Sequence, residues 1–174
     1  LPPSSAASDV YKRQVLRILK PNCKIIELDH ITEGAACTTL LAKKFINNSN
    51  PLIIANSDQY IRWNSSKAIY DFNSKNLDGA ILTFEAIHPK WSYAKCDKDG
   101  FVSEVAEKKV ISKNATVGVY YWKHGSDYIK SAEEMIKKNI RVNNEFYVCP
   151  VYNEFILKKK KINIHNVEEM WGLG

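Results

Sequence analysis

Asp58 is the residue whose position points most directly to chemistry. It follows the apolar run Leu52 to Ala55 in the polar stretch Asn56-Ser57-Asp58-Gln59. Ligands of α/β sheets bind at the carboxyl ends of the strands. A carboxylate there can hold a hard cation, and Mg²⁺ usually takes one or two carboxylates plus substrate phosphates. The same side chain could equally cap the next element, since polar residues at strand ends are common. Other reactive types carry less. His30, His88, His124 and His165 are scattered without ligand spacing. Cys23, Cys37, Cys96 and Cys149 include no CxxC pair, so reduced thiols are expected rather than zinc or a disulfide framework. Lys158 to Lys161 falls at the end of a predicted helix, where cations suit the dipole and the solvent. A nucleic-acid surface would interleave more basic residues with aromatics. Neither GxGxxG nor GxxxxGK[ST] is present.

Cys23 to Leu28 suits a buried strand. Thr32 is a plausible N-cap for a helix over 34–46, with Ala36, Leu40, Leu41 and Phe45 on one side. Leu52 to Ala55 reads as a second buried strand, 66–72 as a helix and 79–87 as a third strand. Residues 92–95 and 101–105 form a predicted hairpin around Asp97-Lys98-Asp99-Gly100, whose Asp-Gly is a strong turn signal. Thr116 to Trp122 is β-branched and aromatic and reads as a strand. An amphipathic helix over 126–138 follows, with Ile129, Ala132, Met135 and Ile136 inward. Pro150 fits the first turn of a further helix, and 162–167 is the last strand. Alternating strands and helices predict an α/β three-layer sandwich with a mostly parallel mixed sheet, the hairpin adding an antiparallel section.

The chain has 174 residues, enough for one domain. Lys+Arg 25 against Asp+Glu 19 gives +6, and 45% of residues are hydrophobic, as in ordinary globular proteins. No apolar run approaches the roughly 20 residues of a membrane helix, and no secretory h-region is present. The expectation is a cytoplasmic chain with no nucleic-acid partner and no membrane span, a second copy of itself remaining open as a partner. Leu1 to Gln14 (LPPSSAASDVYKRQ) differs in composition from the Lys-, Asn- and Ile-rich remainder and is expected to be a non-native leader. The end Met170-Trp171-Gly172-Leu173-Gly174 falls within a strand-to-loop element. Residues 15–174 thus read as a partial domain, truncated at both ends.

Five segments together resemble the sugar nucleotidyltransferases, the hexose-1-phosphate nucleotidylyltransferase family, over about 15–174. They are Thr32-Glu33-Gly34-Ala35-Ala36, similar to the family's Gly-Xaa-Ala turn, and Leu52 to Asp58, similar to its apolar strand ending in a metal-binding Asp. Trp91-Ser92-Tyr93-Ala94 with its hairpin resembles the Tyr-Gly strand. Glu104 to Lys109 resembles the Glu-Glu-Lys-Pro segment, and Ala115 to Tyr120 the Thr-Gly-Xaa-Tyr strand. Asn144-Glu145-Phe146-Tyr147 and the terminal Trp-Gly-Leu-Gly look like a subgroup acting on NDP-sugars in surface-polysaccharide pathways. The fold implied is nucleotide-diphospho-sugar transferase-like. The reaction implied is nucleotidyl transfer from an NTP to a sugar-1-phosphate, giving an NDP-sugar and pyrophosphate. Such chemistry depends on positioning and charge neutralisation.

By this resemblance Asp58 would bind Mg²⁺, and Lys108 would neutralise the sugar phosphate. Glu107 would accept hydrogen bonds from sugar hydroxyls. The Gly118 backbone would lie close to the sugar, with Tyr93, Lys90 and Glu145 as further substrate-side residues. Glu33, Gly34, Ala35 and Asn56 would adjoin the nucleotide. Each has a plainer reading. Glu107 and Lys108 could be solvated residues at a strand end, Gly118 a β-bulge, Gly34 a loose turn, and Trp91 and Trp122 packing. Lys109 stands where the family often has Pro. The second metal-binding carboxylate has no clear counterpart, Glu145 being a candidate. The family's Gly-rich phosphate loop with Arg and Lys has no counterpart in 1–20, so the chain alone is expected to be inactive or nearly so. A glycosyltransferase using an NDP-sugar donor, which usually carries Asp-Xaa-Asp where this chain has Asn56-Ser57-Asp58, is one alternative. A non-catalytic sugar-nucleotide-binding domain is another.

Overall fold

Helix α1 (Pro3–Leu19) occupies most of the compositionally distinct N-terminal segment. The computed structural model describes residues 3–173, with side chains from residue 10 onward. It falls into two units, Leu1–Ile31 and Thr32–Gly174. In the first, Arg13 pairs with Glu27 at 2.5 Å. Residues 23–28 form no strand, contrary to their apolar pattern: Ile26 and Leu28 are 41% and 43% exposed. A strand needs a ladder partner, and none of the described strands pairs with this segment.

The second unit opens with two short helices, α2 (Ala35–Leu40) and α3 (Lys43–Ile46), where the pattern predicts one. Between them the chain tightens into i→i−3 bonds, Leu41 N–H to Thr38 and Ala42 N–H to Thr39. The hydroxyls of Thr38 and Thr39 also bond to backbone carbonyls of the preceding turn, a competition that weakens continuous helix. Gly34, not Thr32, holds the N-cap position, at φ 124°. Strand β1 (Leu52–Ala55) lies where expected but is half-buried on one face and exposed on the other. Strand β2 (Gln59–Arg62) is unforeseen. Helix α4 (Ser65–Ser74) is capped by the Asn64 side chain, which accepts from Lys67 N–H. Then come β3 (Gly79–Glu85), the hairpin β4 (Ser92–Cys96) and β5 (Val102–Glu107), β6 (Asn114–Trp122), α5 (Gly125–Lys137), α6 (Val151–Leu157), β7 (Ile162–Asn166) and β8 (Glu169–Gly172). Asp97 closes the hairpin by accepting from the N–H groups of Asp99 and Phe101.

The six-stranded sheet has the order β5-β4-β6-β3-β7, and β1 also pairs with β6. It is mixed, as expected, but not mostly parallel: among the described pairings only β3 with β7 is parallel. The reason is local. Strands β3 to β6 follow one another without an intervening helix, and short connections favour antiparallel neighbours. Strands β2 and β8 pair antiparallel as a separate two-stranded sheet.

Alternation along β3 and β6 builds two cores. Ile81, Tyr120 and Trp122 face α5 and α6, packing on Tyr128, Ile129, Met135, Tyr152 and Phe155. Ala80, Leu82, Val117, Val119 and Tyr121 face α4, packing on Ala68 and Phe72. The result is the expected three layers. Trp122 is fully buried and stacks on Tyr152 at 4.1 Å, so it is core. On the α5/α6 face the apolar packing stops short of Thr116 and Gly118, and the cavity begins there.

Candidate functional site

Strand β6 has two partners on one edge. β1 covers Val119 to Trp122, and β4 meets it only at Ala115. Between them residues 116–118 lack a ladder partner on that edge. They line a cavity of about 290 Å³ with Ala35, Asn56, Gln59, Lys90, Trp91, Ser92, Glu107, Lys108, Tyr120 and Tyr147 to Cys149.

Gly118 is the β-bulge of its plainer reading, and it lines the cavity. From Ile81↔Tyr120 to Thr83↔Thr116, β3 advances by two residues and β6 by four, so a bulge sits around Gly118. Gly118 has φ 71°, and a Cβ there would fall 2.4 Å from Asn56 Nδ2. Its carbonyl accepts from Asn56 N–H at 2.9 Å. The glycine therefore lets the loop after β1 close over β6 and gives the cavity its floor.

The hairpin supplies the other wall. Register Ser92↔Glu107 sets these two side by side at the open end of β4 and β5. Glu107 is only 9% exposed, and its carboxylate accepts a hydrogen bond from the Ser92 hydroxyl. Burial pushes its pKa above the usual carboxylate range, with Ser92 and Lys108 opposing and Glu145 reinforcing the shift. Lys108 adopts φ 53° and donates its N–H to the Trp91 carbonyl at 3.1 Å. Its ammonium donates to the Tyr147 hydroxyl at 2.8 Å, the contact that does most to raise its pKa. Asn153 fixes this wall from the edge. Its amide donates to the Val105 carbonyl at 2.9 Å and accepts from Val105 N–H at 3.0 Å, as a neighbouring strand would.

Six of the expected site residues meet in the cavity: Ala35, Asn56, Lys90, Glu107, Lys108 and Gly118. Five lie outside its lining. Asp58 is exposed on the β1–β2 link, its carbonyl accepting from Leu173 N–H. Glu33 pairs with Arg141 at 2.5 Å. Gly34 is a glycine because a Cβ would meet the Phe146 backbone at 2.6 Å. Around it, Phe146 N–H donates to the Glu33 carbonyl and Ala36 N–H to the Phe146 carbonyl. Tyr93, next to cavity-facing Ser92, points the other way, is fully buried and donates to the His88 carbonyl. Glu145 is exposed beside Val142, with which it forms an isolated bridge. Ser92, Thr116, Tyr120 and Tyr147 were not foreseen. Two-residue alternation from Gly118 would have indicated Thr116 and Tyr120, and hairpin register Ser92; nothing local marks Tyr147.

All four cysteines are free thiols. Cys149 lines the cavity, but burial pushes its thiol pKa far up, which makes it a poor nucleophile. Among the described residues, no group of three or more His, Cys, Asp or Glu side chains could hold a metal ion. Asp58 offers a single exposed carboxylate, a hard oxygen ligand. That donor set fits Mg²⁺ arriving with ligand phosphates, not a cation held by protein alone.

The chain thus has a central mixed sheet with helices on both faces, a cavity where a bulge interrupts the sheet, and a buried carboxylate beside a lysine. The family model for nucleotidyl transferases matches residues 8–153, and the chain belongs to that family. A nucleoside-diphosphate-sugar pyrophosphorylase from Vibrio cholerae RC9 superposes with a TM-score of 0.78 at 25% identity, covering 95% of this chain and 71% of the other. A UDP-glucose pyrophosphorylase complexed with UDP-glucose gives 0.70 at 13% identity, covering 96% and 67%. An apo UDP-glucose pyrophosphorylase gives 0.70 at 14%, covering 91% and 62%. The last two show the shared fold. None of the curated proteins compared matches the chain. Among the described residues, no helix is long and apolar enough to cross a membrane.

Proposed function

We propose that the cavity is the sugar-nucleotide site of an enzyme that transfers a nucleotidyl group from an NTP to a sugar-1-phosphate, releasing pyrophosphate. The observation that carries this reading is Glu107 and Lys108 side by side at one cavity wall. A buried carboxylate with one hydroxyl partner keeps further lone pairs for ligand hydroxyls. The adjacent ammonium suits a phosphate. A hydroxyl-binding group next to a phosphate-binding group is the pattern a sugar phosphate requires. Ala35 and Asn56, on the opposite wall, would adjoin the nucleotide. Asp58 would hold Mg²⁺, which when bound supplies neutralisation of phosphate charge. Lys108 and Lys90 would hold phosphate oxygens in line, and Glu107 would orient the sugar.

The test is a thermal-shift panel of NTPs and NDP-sugars, with and without Mg²⁺, on the chain and on Asp58→Asn. A stabilising shift with an NDP-sugar that Mg²⁺ enhances and Asp58→Asn diminishes is the expected result. No shift with any ligand in the folded chain would contradict it. Binding independent of both Mg²⁺ and Asp58 would favour a non-catalytic sugar-nucleotide-binding domain.

A further inference from the structure

Strand β5 is the outer strand of its sheet, next to β4 alone, and it ends at Glu107. Its register sets Val105 opposite Ala94 and Glu107 opposite Ser92. Lys108 N–H reaches across to the Trp91 carbonyl. Main-chain groups alternate in direction along an antiparallel pair, so Val105 and Glu107 turn theirs to the outer edge, away from β4. No described strand lies there. Instead both main-chain groups of Val105 go to one side chain, the Asn153 carboxamide of α6, at 2.9 and 3.0 Å. Among the described residues no other side chain bonds to the β5 main chain. Asparagine supplies the donor and the acceptor together, where aspartate would only accept.

The helix that reaches out is itself fixed on either side of Asn153. Tyr152 is fully buried, its hydroxyl shared between the Ala80 and Tyr121 carbonyls at 3.0 and 2.7 Å. Glu154 is 3% exposed and pairs with Lys138 of α5 at 2.6 Å. Helix α6 is thus tied to β3, to β6 and to α5, and it carries β5 at its side. We propose that Asn153 is a positioning residue for the sugar end of the ligand: it holds β5 two residues before Glu107 and so sets where the Glu107 carboxylate meets the cavity. The Ser92 bond to Glu107 lies within the hairpin; the two Asn153 bonds reference the hairpin to the helical layer. Hydrogen bonds weaken steeply off their preferred geometry, so a small shift of the carboxylate costs affinity for ligand hydroxyls. Asn153 itself lies outside the cavity lining. This inference rests on the sugar-nucleotide reading and names a residue that governs its preference for the sugar.

The probes are UDP-, dTDP-, ADP-, GDP- and CDP-glucose, each titrated calorimetrically beside its parent nucleoside diphosphate. The readout is the ratio of the two affinities for the pair that binds most tightly. Asn153→Ala should lower that ratio by at least about 3-fold while leaving diphosphate binding unchanged. Asn153→Asp keeps the shape but loses the donor, and it should lower the ratio in the same way. In a Glu107→Gln background Asn153→Ala should change the ratio no further, because it acts through that carboxylate. A merely structural role would lower the unfolding midpoint and leave the ratio alone. Circular dichroism confirms that each variant is folded, and Asn153→Asp carries the test if the alanine variant is not. An unchanged ratio, an equal loss for both ligands, or a further loss in the Glu107→Gln background overturns the positioning role and leaves the sugar-nucleotide reading standing. A native ratio of one leaves no sugar increment to set and overturns the positioning role as well. Binding of none of these nucleotides to the folded native chain overturns the sugar-nucleotide reading itself.

Discussion

The two walls of the cavity are built on different principles. The wall formed by α2 and the loop after β1 is set by backbone: Gly34 lies against Phe146, and Gly118 beneath Asn56, with no space for a Cβ at either place. The hairpin wall is set by side chains, with Glu107, Lys108, Lys90 and Ser92 projecting from strand ends. Changes to the first wall should therefore cost folding, and changes to the second should cost binding. If both kinds of change did both, the walls would not be separable.

The largest effect should come from Gly34→Ala. Its Cβ meets main-chain atoms that cannot swing aside. Strain of about 1–3 kcal/mol in a backbone region open essentially only to glycine and overpacking of about 1–3 kcal/mol predict a loss of about 3 kcal/mol in urea unfolding. Gly118→Ala should be milder, about 1–2 kcal/mol from its φ, because the atoms it meets belong to the Asn56 side chain and not to main chain. A Gly118→Ala cost equal to that of Gly34→Ala would break the distinction within the first wall.

On the second wall, Lys108→Gln should weaken NDP-sugar binding by about 10- to 100-fold, the range for a lost charge-assisted hydrogen bond of roughly 1.5–3 kcal/mol. Its unfolding midpoint should hardly move, since the side chain is exposed. Glu107→Gln sharpens the contrast, because it should stabilise the fold. The folded-state pKa of Glu107 is raised, so the folded state binds more protons than the unfolded one. Stability from this group is thus greatest below about pH 4.5 and falls as pH rises from there through the folded pKa. At pH 7 the glutamine variant, freed of that cost, should melt at a higher temperature than the native chain. A flatter stability profile above about pH 4.5 would accompany it. A lower melting temperature would show that Ser92 and Lys108 outweigh burial. Asp58→Asn, at an exposed link, should change stability least, within about 0.5 kcal/mol.

The same contrast explains what could be read in advance. β1, the hairpin and β6 were legible because apolar runs and the Asp-Gly turn encode them locally. So was the grouping of Glu107, Lys108 and Gly118, through family likeness. The roles of the two glycines were not. What crowds Gly34 is Phe146, more than a hundred residues away, and what crowds Gly118 is Asn56; no local pattern reports such contacts. Tyr93 was misplaced because one step along a strand reverses the face. The sheet is less parallel than expected because β3 to β6 follow one another without an intervening helix, and short connections favour antiparallel neighbours. The strand expected over residues 23–28 had the right composition but no ladder partner among the described strands.

The most direct measurement is calorimetric titration of an NDP-sugar and its parent NDP into the chain and into Glu107→Gln, using the NDP-sugar that gives the largest thermal shift. The account predicts that the sugar adds affinity in the native chain and that Glu107→Gln removes that increment, by about 10-fold or more, while leaving NDP binding unchanged. Equal losses for both ligands, or an undiminished preference for the NDP-sugar in the variant, would contradict the placing of the sugar against the hairpin wall.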